Sequence, residues 1–173
     1  MKKIISILSL LFLLVSCKKQ DYDEFDFSFN NTFETDFSIK FNPNNDSVFI
    51  RQNWSSDDSK HPLSETNYIS QLNKQQKKEF DSFINNTNFK SFDTLYFEKY
   101  SDGEYFSFFI KKDGLHKNIK VHSHHLPKSL VNFADWIYKT KKTLKLIDTQ
   151  REFEFKSKIP VIKPPNSFIF YEQ

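Results

Sequence analysis

The two glycines of this chain constrain its fold more than any other feature of the sequence. Each follows an aspartate, in Asp102-Gly103 and in Asp113-Gly114, and runs of alternating apolar and polar residues flank both pairs. Asp-Gly between such runs is typical of a two-residue type I′ β-hairpin, because both central residues of that turn need a positive φ. Residues 92–122 are therefore predicted to form three antiparallel strands joined by two tight turns.

The two predicted turns determine which residues lie opposite each other. Across the first turn Phe97 is expected opposite Phe108, and across the second turn Phe108 is expected opposite Ile119. With this register the apolar side chains of all three strands fall on one face, which a shift by one residue would disrupt. The predicted core face consists of Leu95, Phe97, Phe106, Phe108, Ile110, Ile119 and Val121.

The opposite face of these strands mixes aromatic rings with hydroxyl groups and charges. Exposed apolar patches often mark binding sites, and tyrosine is favoured there because it offers a large ring and a hydroxyl group. We predict a binding surface formed by Tyr96, Tyr100, Tyr105 and Phe109. The alternative is that the N-terminal strands or the C-terminal arm cover this face as a second core layer.

Two amphipathic segments are predicted to be helices. Asn73, with Gln76 three residues later, is typical of a capping box at the start of a helix that ends near Asn86. The second helix is predicted over Leu126–Thr140, where apolar residues recur at helical spacing. Its apolar stripe consists of Leu130, Phe133, Ala134 and Ile137.

The whole pattern predicts a single α+β domain. A further hairpin is expected at residues 35–54 around Asn42-Pro43-Asn44-Asn45, and short strands at Leu144–Ile147 and Phe153–Phe155. The fold class is an antiparallel β-sheet of meander hairpins with two helices packed on one face. The 21 phenylalanines indicate a core of large rings. The formal net charge of +3 includes Lys2 and Lys3, and no basic cluster indicates a nucleic-acid partner.

The first 17 residues differ in kind from the rest. Met1-Lys2-Lys3 is positively charged, and Ile4 to Val15 is almost wholly apolar. This apolar run is too short to cross a bilayer as a helix, which takes about 20 residues. It has the length and flanks of a secretory signal peptide. It ends in Leu14-Val15-Ser16-Cys17, which contains the only cysteine of the chain.

This opening resembles the lipobox signal of bacterial lipoproteins. The resemblance covers residues 1–17 and implies cleavage before Cys17, a diacylglyceryl group on its thiol and acylation of the new amino terminus, with palmitate as the expected chain. We therefore expect a signal peptide at residues 1–16, a lipidated tether at 17–30 and one domain at 31–173. In this class a residue other than aspartate after the cysteine, here Lys18, implies the outer membrane. The alternative is a buried free cysteine in an N-terminal helix.

His122-Ser123-His124-His125 is the best candidate for chemistry. On a strand His122 and His124 would project from the same face, as two zinc ligands can. A third ligand would have to come from elsewhere, such as Asp57, Asp58 or His61. The alternative is a polar connection between a strand and a helix.

From these features we predict a non-enzymatic binding or interaction module held in the cell envelope. The predicted partners are the membrane, through Cys17, and an envelope protein or ligand of unknown identity. No cofactor is expected, and because both glycines lie in predicted hairpins the chain offers no glycine-rich phosphate loop. The alternative function is a zinc-dependent envelope enzyme that uses His122 and His124.

Overall fold

The computed structural model of the chain describes residues 21–31, 36–54, 64–99 and 103–157. Its strands are β1 (Glu24–Asn31), β2 (Asp36–Phe41), β3 (Ser47–Trp54), β4 (Ser64–Gln71), β5 (Leu95–Phe97), β6 (Glu104–Lys112), β7 (Leu115–His122) and β8 (Ile147–Thr149). The helices are α1 (Lys74–Asn86) and α2 (Lys128–Thr143), with a 3₁₀ turn at Phe89–Ser91. The strands form one sheet in the order β5-β7-β6-β1-β2-β3-β4-β8. The predicted α+β class and mostly antiparallel sheet are confirmed. Within the described ranges neither helix has the length and apolar character needed to cross a membrane.

The second Asp-Gly hairpin is confirmed residue by residue. β6 and β7 pair antiparallel with Lys112 opposite Leu115 and Phe108 opposite Ile119, as the turn predicts. Asp113 has φ 48° and Gly114 has φ 76°, so both central residues lie in the left-handed region. A type I′ turn requires this backbone geometry, and glycine adopts it without a steric penalty.

The pairing predicted across the first Asp-Gly turn is wrong. β5 pairs parallel with β7, placing Phe97 beside His122, and the free edge of β6 pairs with β1. β1 has eight residues with three phenylalanines, whereas β5 has three residues, so β1 offers β6 more hydrogen bonds and more apolar area. Of the predicted turn residues, Asp102 lies outside the described residues and Gly103 is described.

The boundary between tether and domain is also corrected. The tether was expected to reach residue 30, but β1 begins at Glu24 and lies between β6 and β2 in the sheet. Phe25, Phe27 and Phe29 alternate with polar residues and are all buried, which accounts for a strand at this position.

Leu95 and Phe97, predicted on the core face, are opposite Lys120 and His122 of β7 and lie on the other face of the sheet. α2 spans Lys128–Thr143 rather than the predicted Leu126–Thr140.

Other local predictions agree with the structure except near the C-terminus. The β2–β3 hairpin forms at the predicted turn, with Ile39 opposite Ile50. α1 begins with the predicted capping box, in which Asn73 Oδ1 accepts the N–H of Gln76 at 2.9 Å and Gln76 Oε1 accepts the N–H of Asn73 at 2.9 Å. All four residues of the predicted stripe on α2 are buried. The strand expected at Leu144–Ile147 is found at Ile147–Thr149, and Phe153–Phe155 is not a strand.

The two faces of the sheet have different chemistry. The aromatic face carries Phe25, Phe27 and Phe29 of β1 together with their register neighbours Phe106 and Phe108 of β6. The ring centroid of Phe25 lies 5.4 Å from that of Phe80 on α1 and 5.2 Å from that of Phe133 on α2. The polar face carries Asp26 and Ser28 of β1 and Ser107 of β6.

A segment after β8, residues 151–157, crosses the polar face and is called the strap below. The N–H groups of Ser157 and Lys156 donate to the two carboxylate oxygens of Asp26, at 2.7 and 3.2 Å. Ser28 Oγ lies 2.9 Å from Ser157 Oγ, and the hydroxyl of Ser107 donates to the carbonyl of Ser157. At the other end of the strap the ring of Phe153 stacks on that of Phe49 at 4.5 Å. This part of the polar face is therefore covered by the C-terminal arm, as the alternative to a binding surface predicts.

Candidate ligand-binding cleft

The four aromatic residues predicted to form a binding surface do not form one patch. Tyr96 shares the aromatic face with Val121 and packs against the core, because β5 pairs with β7 and not with β6. Its predicted place on the same face as Tyr105 and Phe109 is therefore wrong. Tyr105 stacks on the ring of His122 at 3.9 Å, and the ring of Phe109 lies 5.1 Å below Lys156 Nζ. Tyr100 lies outside the described residues.

The predicted histidine pair is divided between a strand and a loop. β7 ends at His122, which is 1 % exposed and lies between the rings of Phe97 and Tyr105. His124 follows in the loop, where its N–H donates to Glu98 Oε2 at 2.7 Å. His125 Nε2 lies 3.2 Å from Glu98 Oε1. The backbone N–H of His124 holds the pKa of Glu98 below its usual range, and the charge of His125 adds to this effect.

These contacts do not assemble a zinc centre among the residues described. In that part of the chain no group of three or more His, Cys, Asp or Glu side chains is placed to hold a metal ion. Asp57, Asp58 and His61, the predicted sources of a third ligand, lie at 55–63, outside the described residues. The zinc site therefore stays a prediction.

A cleft of about 390 Å³ lies where β1 ends and β6 begins, at the margin of the aromatic face. Its walls come from these two strands, from the loop after β7 and from α2. The apolar lining consists of Phe29, Phe106, Leu126, Val131, Ala134 and Tyr138. The polar lining consists of Gly103, Glu104, Ser123, His124 and Asp135. Its volume lies within the range of small-molecule pockets, about 300–1,000 Å³.

The sequence accounts for each wall of the cleft. Phe29 and Phe106 are register neighbours on β1 and β6, so their rings lie side by side in the floor. Val131, Ala134, Asp135 and Tyr138 follow the spacing i, i+3, i+4, i+7 and therefore share one face of α2. Ala134 is the only alanine of the chain, and its short side chain leaves room between the helix and the strands.

The charged groups lining the cleft include two carboxylates. Glu104 and Asp135 line it, whereas no Lys or Arg is among the described residues that do. Asp135 Oδ2 is 3.8 Å from Lys139 Nζ, one turn further along α2. This composition suits an apolar ligand that also carries a positive charge or a hydrogen-bond donor.

Polar contacts at the cleft hold the loop that follows β7. Ser123 and His124 both line the cleft, and Ser123 Oγ accepts the N–H of His125 at 3.0 Å and His124 Nδ1 lies 3.2 Å from Glu98. These bonds hold the loop that forms one wall of the cleft.

Sequence reasoning missed this cleft. The helical spacing from Val131 to Tyr138 and the isolated alanine were visible signals, but each is equally typical of a core helix. The cleft also depends on the pairing of β1 with β6, which no local pattern specifies. Comparison of the chain with protein-family models, with curated proteins and with solved structures finds no match.

Proposed function

We propose that this protein is a lipid-anchored binding module of the bacterial cell envelope and that the cleft between β1, β6 and α2 is its ligand site. The carrying observation is a cavity of about 390 Å³ that combines an apolar floor with two carboxylates. Apolar pockets with a few convergent polar groups are the usual form of small-molecule sites. The ligand we propose has an apolar or aromatic body and a cationic or hydrogen-bond-donating group.

The anchor is proposed from the first 17 residues. The charged start, the short apolar run and Leu14-Val15-Ser16-Cys17 coincide with the sole cysteine, which supports lipidation of Cys17. Lys18 supports the outer membrane as the location. Several acyl chains on one protein give stable membrane attachment, whereas one chain gives only marginal binding.

We also propose that both helices cover the aromatic face, so that the cleft lies at the margin of one helix–sheet interface. Ring contacts support this arrangement. Phe80 of α1 and Phe133 of α2 both pack on Phe25, and the ring centroid of Tyr138 lies 4.9 Å from that of Phe29.

The cleft can be tested in cells with a photo-reactive phenylalanine analogue at position 131 of the full chain. Val131 lines the cleft and is exposed, so the analogue fits without repacking the core. The matched control places the same group at Asn132, the next residue of α2, which is exposed and lines a separate groove beside Phe83 instead of the cleft. We expect one cross-linked species of defined mass from position 131 and none from position 132.

Equal adducts from both positions, or none from either, would contradict the cleft as the ligand site. A loss of cross-linking in a second chain that also carries Tyr105→Ala would point instead to the predicted aromatic surface. The metal content of protein purified without a histidine tag is measured as well. One zinc ion per chain would favour the alternative function, an envelope enzyme that uses His122 and His124.

The anchor is tested separately by intact-mass spectrometry of protein extracted from membranes. The expected species begins at Cys17 and carries a diacylglyceryl group and an amide-linked acyl chain. The chain with Cys17→Ser should lack these groups and leave the membrane fraction. A full-length chain without acyl groups would remove this part of the proposal.

A further inference from the structure

The N-terminal end of the folded domain is fixed close to Cys17. Tyr22 is 4 % exposed, and its ring packs edge-on against Phe80 with centroids 5.5 Å apart. The N–H of Asp23 donates to the carbonyl of Lys111 at 2.8 Å, just before β1 begins. The ordered fold therefore includes residue 22, five residues after the proposed lipid.

Covalent geometry limits how far this end can move from the lipid. Four peptide units separate Cys17 from Asp21, and four residues span at most about 14 Å whatever their conformation. The end of the domain that holds Asp21 to Glu24 must then lie within roughly that distance of the bilayer surface.

The cleft lies at the other end of the same strands. In the register of β1 with β6, Glu24 is opposite Lys111 and Asn31 is opposite Glu104. β6 has nine residues, so its two ends are about 27 Å apart. Glu104 lines the cleft, whereas Lys111 contacts the N-terminal end of the domain.

The end near the anchor is tied together by polar bonds. Lys112 Nζ donates to the carbonyl of Ile84 at 2.9 Å and to Asn85 Oδ1 at 3.2 Å, which joins the end of α1 to β6. Among the described residues the exposed large apolar side chains are Val131, which lines the cleft, and Ile147, which lies on the edge strand β8, four strands across the sheet from β1. This end suits contact with lipid headgroups rather than insertion among acyl chains.

We infer that the bilayer surface is the partner of this end of the domain, and that the cleft opens about 27 Å farther from the membrane. The inference rests on the proposed lipid anchor. It makes the cleft accessible from the aqueous compartment, so that its ligand reaches it from solution or from a second protein and not from within the bilayer.

The test uses the lipidated full chain in vesicles of phosphatidylethanolamine and phosphatidylglycerol that contain a nitroxide-headgroup lipid. Because Cys17 carries the lipid, one added cysteine can be labelled uniquely with a fluorophore. His116→Cys places the label near Lys111, its register neighbour, and Glu104→Cys places it at the cleft; both positions are exposed. We expect at least about threefold stronger quenching at 116 than at 104, because some 24 Å of strand separates the two levels.

Equal quenching at both positions, or stronger quenching at 104, would overturn the orientation while leaving the anchor intact. Failure of the labelled chains to float with vesicles would overturn the anchor itself, and the orientation with it. The matched control is the Cys17→Ser chain with the same labels, which should show no quenching at either position.

Discussion

The two faces of the central strand β1 are buried by different means. On the aromatic face Phe25 is 0 % exposed and touches rings from two helices and two strands. On the polar face Asp26 is also 0 % exposed, but its neighbours are the backbone N–H groups of one strap. Neighbouring residues in one strand thus reach the same burial through apolar packing on one side and through hydrogen bonds on the other.

The difference lies in how each face responds to a defect. The hydrophobic effect that buries the rings is non-directional and scales with the apolar area removed from water. A buried hydrogen-bond network adds little when complete, but costs the desolvation of each group that is left without a partner. The aromatic face should therefore carry most of the stability, whereas the polar face should determine whether the strap lies in place.

The largest expected effect is that of Phe25→Ala. Removing this ring leaves a cavity among Phe41, Phe80 and Phe133, and such truncations cost about 3–5 kcal/mol. We expect a loss of that size in the free energy of unfolding, measured by urea denaturation of the full chain with Cys17→Ser.

The matched variant on the polar face is Phe109→Ala. Phe109 is half-buried beneath Lys156 and should cost no more than about 2 kcal/mol, because less apolar area is lost. Losses of equal size in the two variants would contradict the difference between the faces.

The sequence predicts those parts of this fold that depend on neighbouring residues. Asp113-Gly114 and the capping box of Asn73 with Gln76 each contain their own hydrogen-bond partners, so both are confirmed in detail. The place of β5 depends on competition between distant strands for the edge of β6. β1 is far from β6 in the sequence. The Asp102-Gly103 pair next to β6 therefore gives no indication that β1, and not β5, pairs with this edge.

The burial of the polar face and the cleft were hidden for the same reason. Asp26 alternates with phenylalanines, and this pattern is typical of a solvated face. Its partners, Lys156 and Ser157, follow about 130 residues later, at sequence separations of 130 and 131. The cleft likewise needs the end of β1, the start of β6 and one face of α2 together, and none of these segments signals the others.

The second prediction concerns Asp26→Ala. This substitution removes the two carboxylate oxygens that accept hydrogen bonds from the strap. The N–H groups of Lys156 and Ser157 then lose their partners, at a cost of about 1–3 kcal/mol. We expect trypsin to cleave after Lys156 faster than in the parent chain, while near-ultraviolet circular dichroism of the aromatic core stays unchanged. Unchanged cleavage would show that the strap does not depend on Asp26.

Asp26→Asn is the matched control, and it adds a pH signature. Burial raises the pKa of Asp26 against the hydrogen bonds from Ser157 and Lys156 and the charge of Lys40. The folded state then holds this proton more tightly than the unfolded chain, so the contribution of Asp26 is full below the ordinary aspartate pKa and falls as pH rises through the raised value. Asparagine has no such dependence, and the stability difference between parent and variant should shrink as pH rises above the ordinary aspartate pKa of about 4.

Other titrating groups face the strap, and one acts in the opposite direction. Burial alone would raise the pKa of Glu24, but hydrogen bonds from Lys156 and Lys40 outweigh it and hold this pKa below its usual range. Its contribution is therefore lost as pH falls. Because Glu24 is present in both chains, it cancels in the difference. A difference that is constant with pH would contradict the role of Asp26.

The smallest expected effect is that of Tyr22→Phe, and it should be stabilising. The hydroxyl of Tyr22 is buried and has no hydrogen-bond partner among the described residues, and burial, with Asp81 and Asp21 nearby, raises its pKa. Polar atoms beside the aromatic face cost desolvation unless they are bonded, so removing this one should raise the free energy of unfolding by up to about 1 kcal/mol. Tyr105→Phe on the half-buried polar face is the control and should change it by less than about 0.5 kcal/mol. If Tyr22→Phe lowers stability instead, its hydroxyl is bonded by residues beyond the described ones. The aromatic face would then depend on a hydrogen bond as the polar face does.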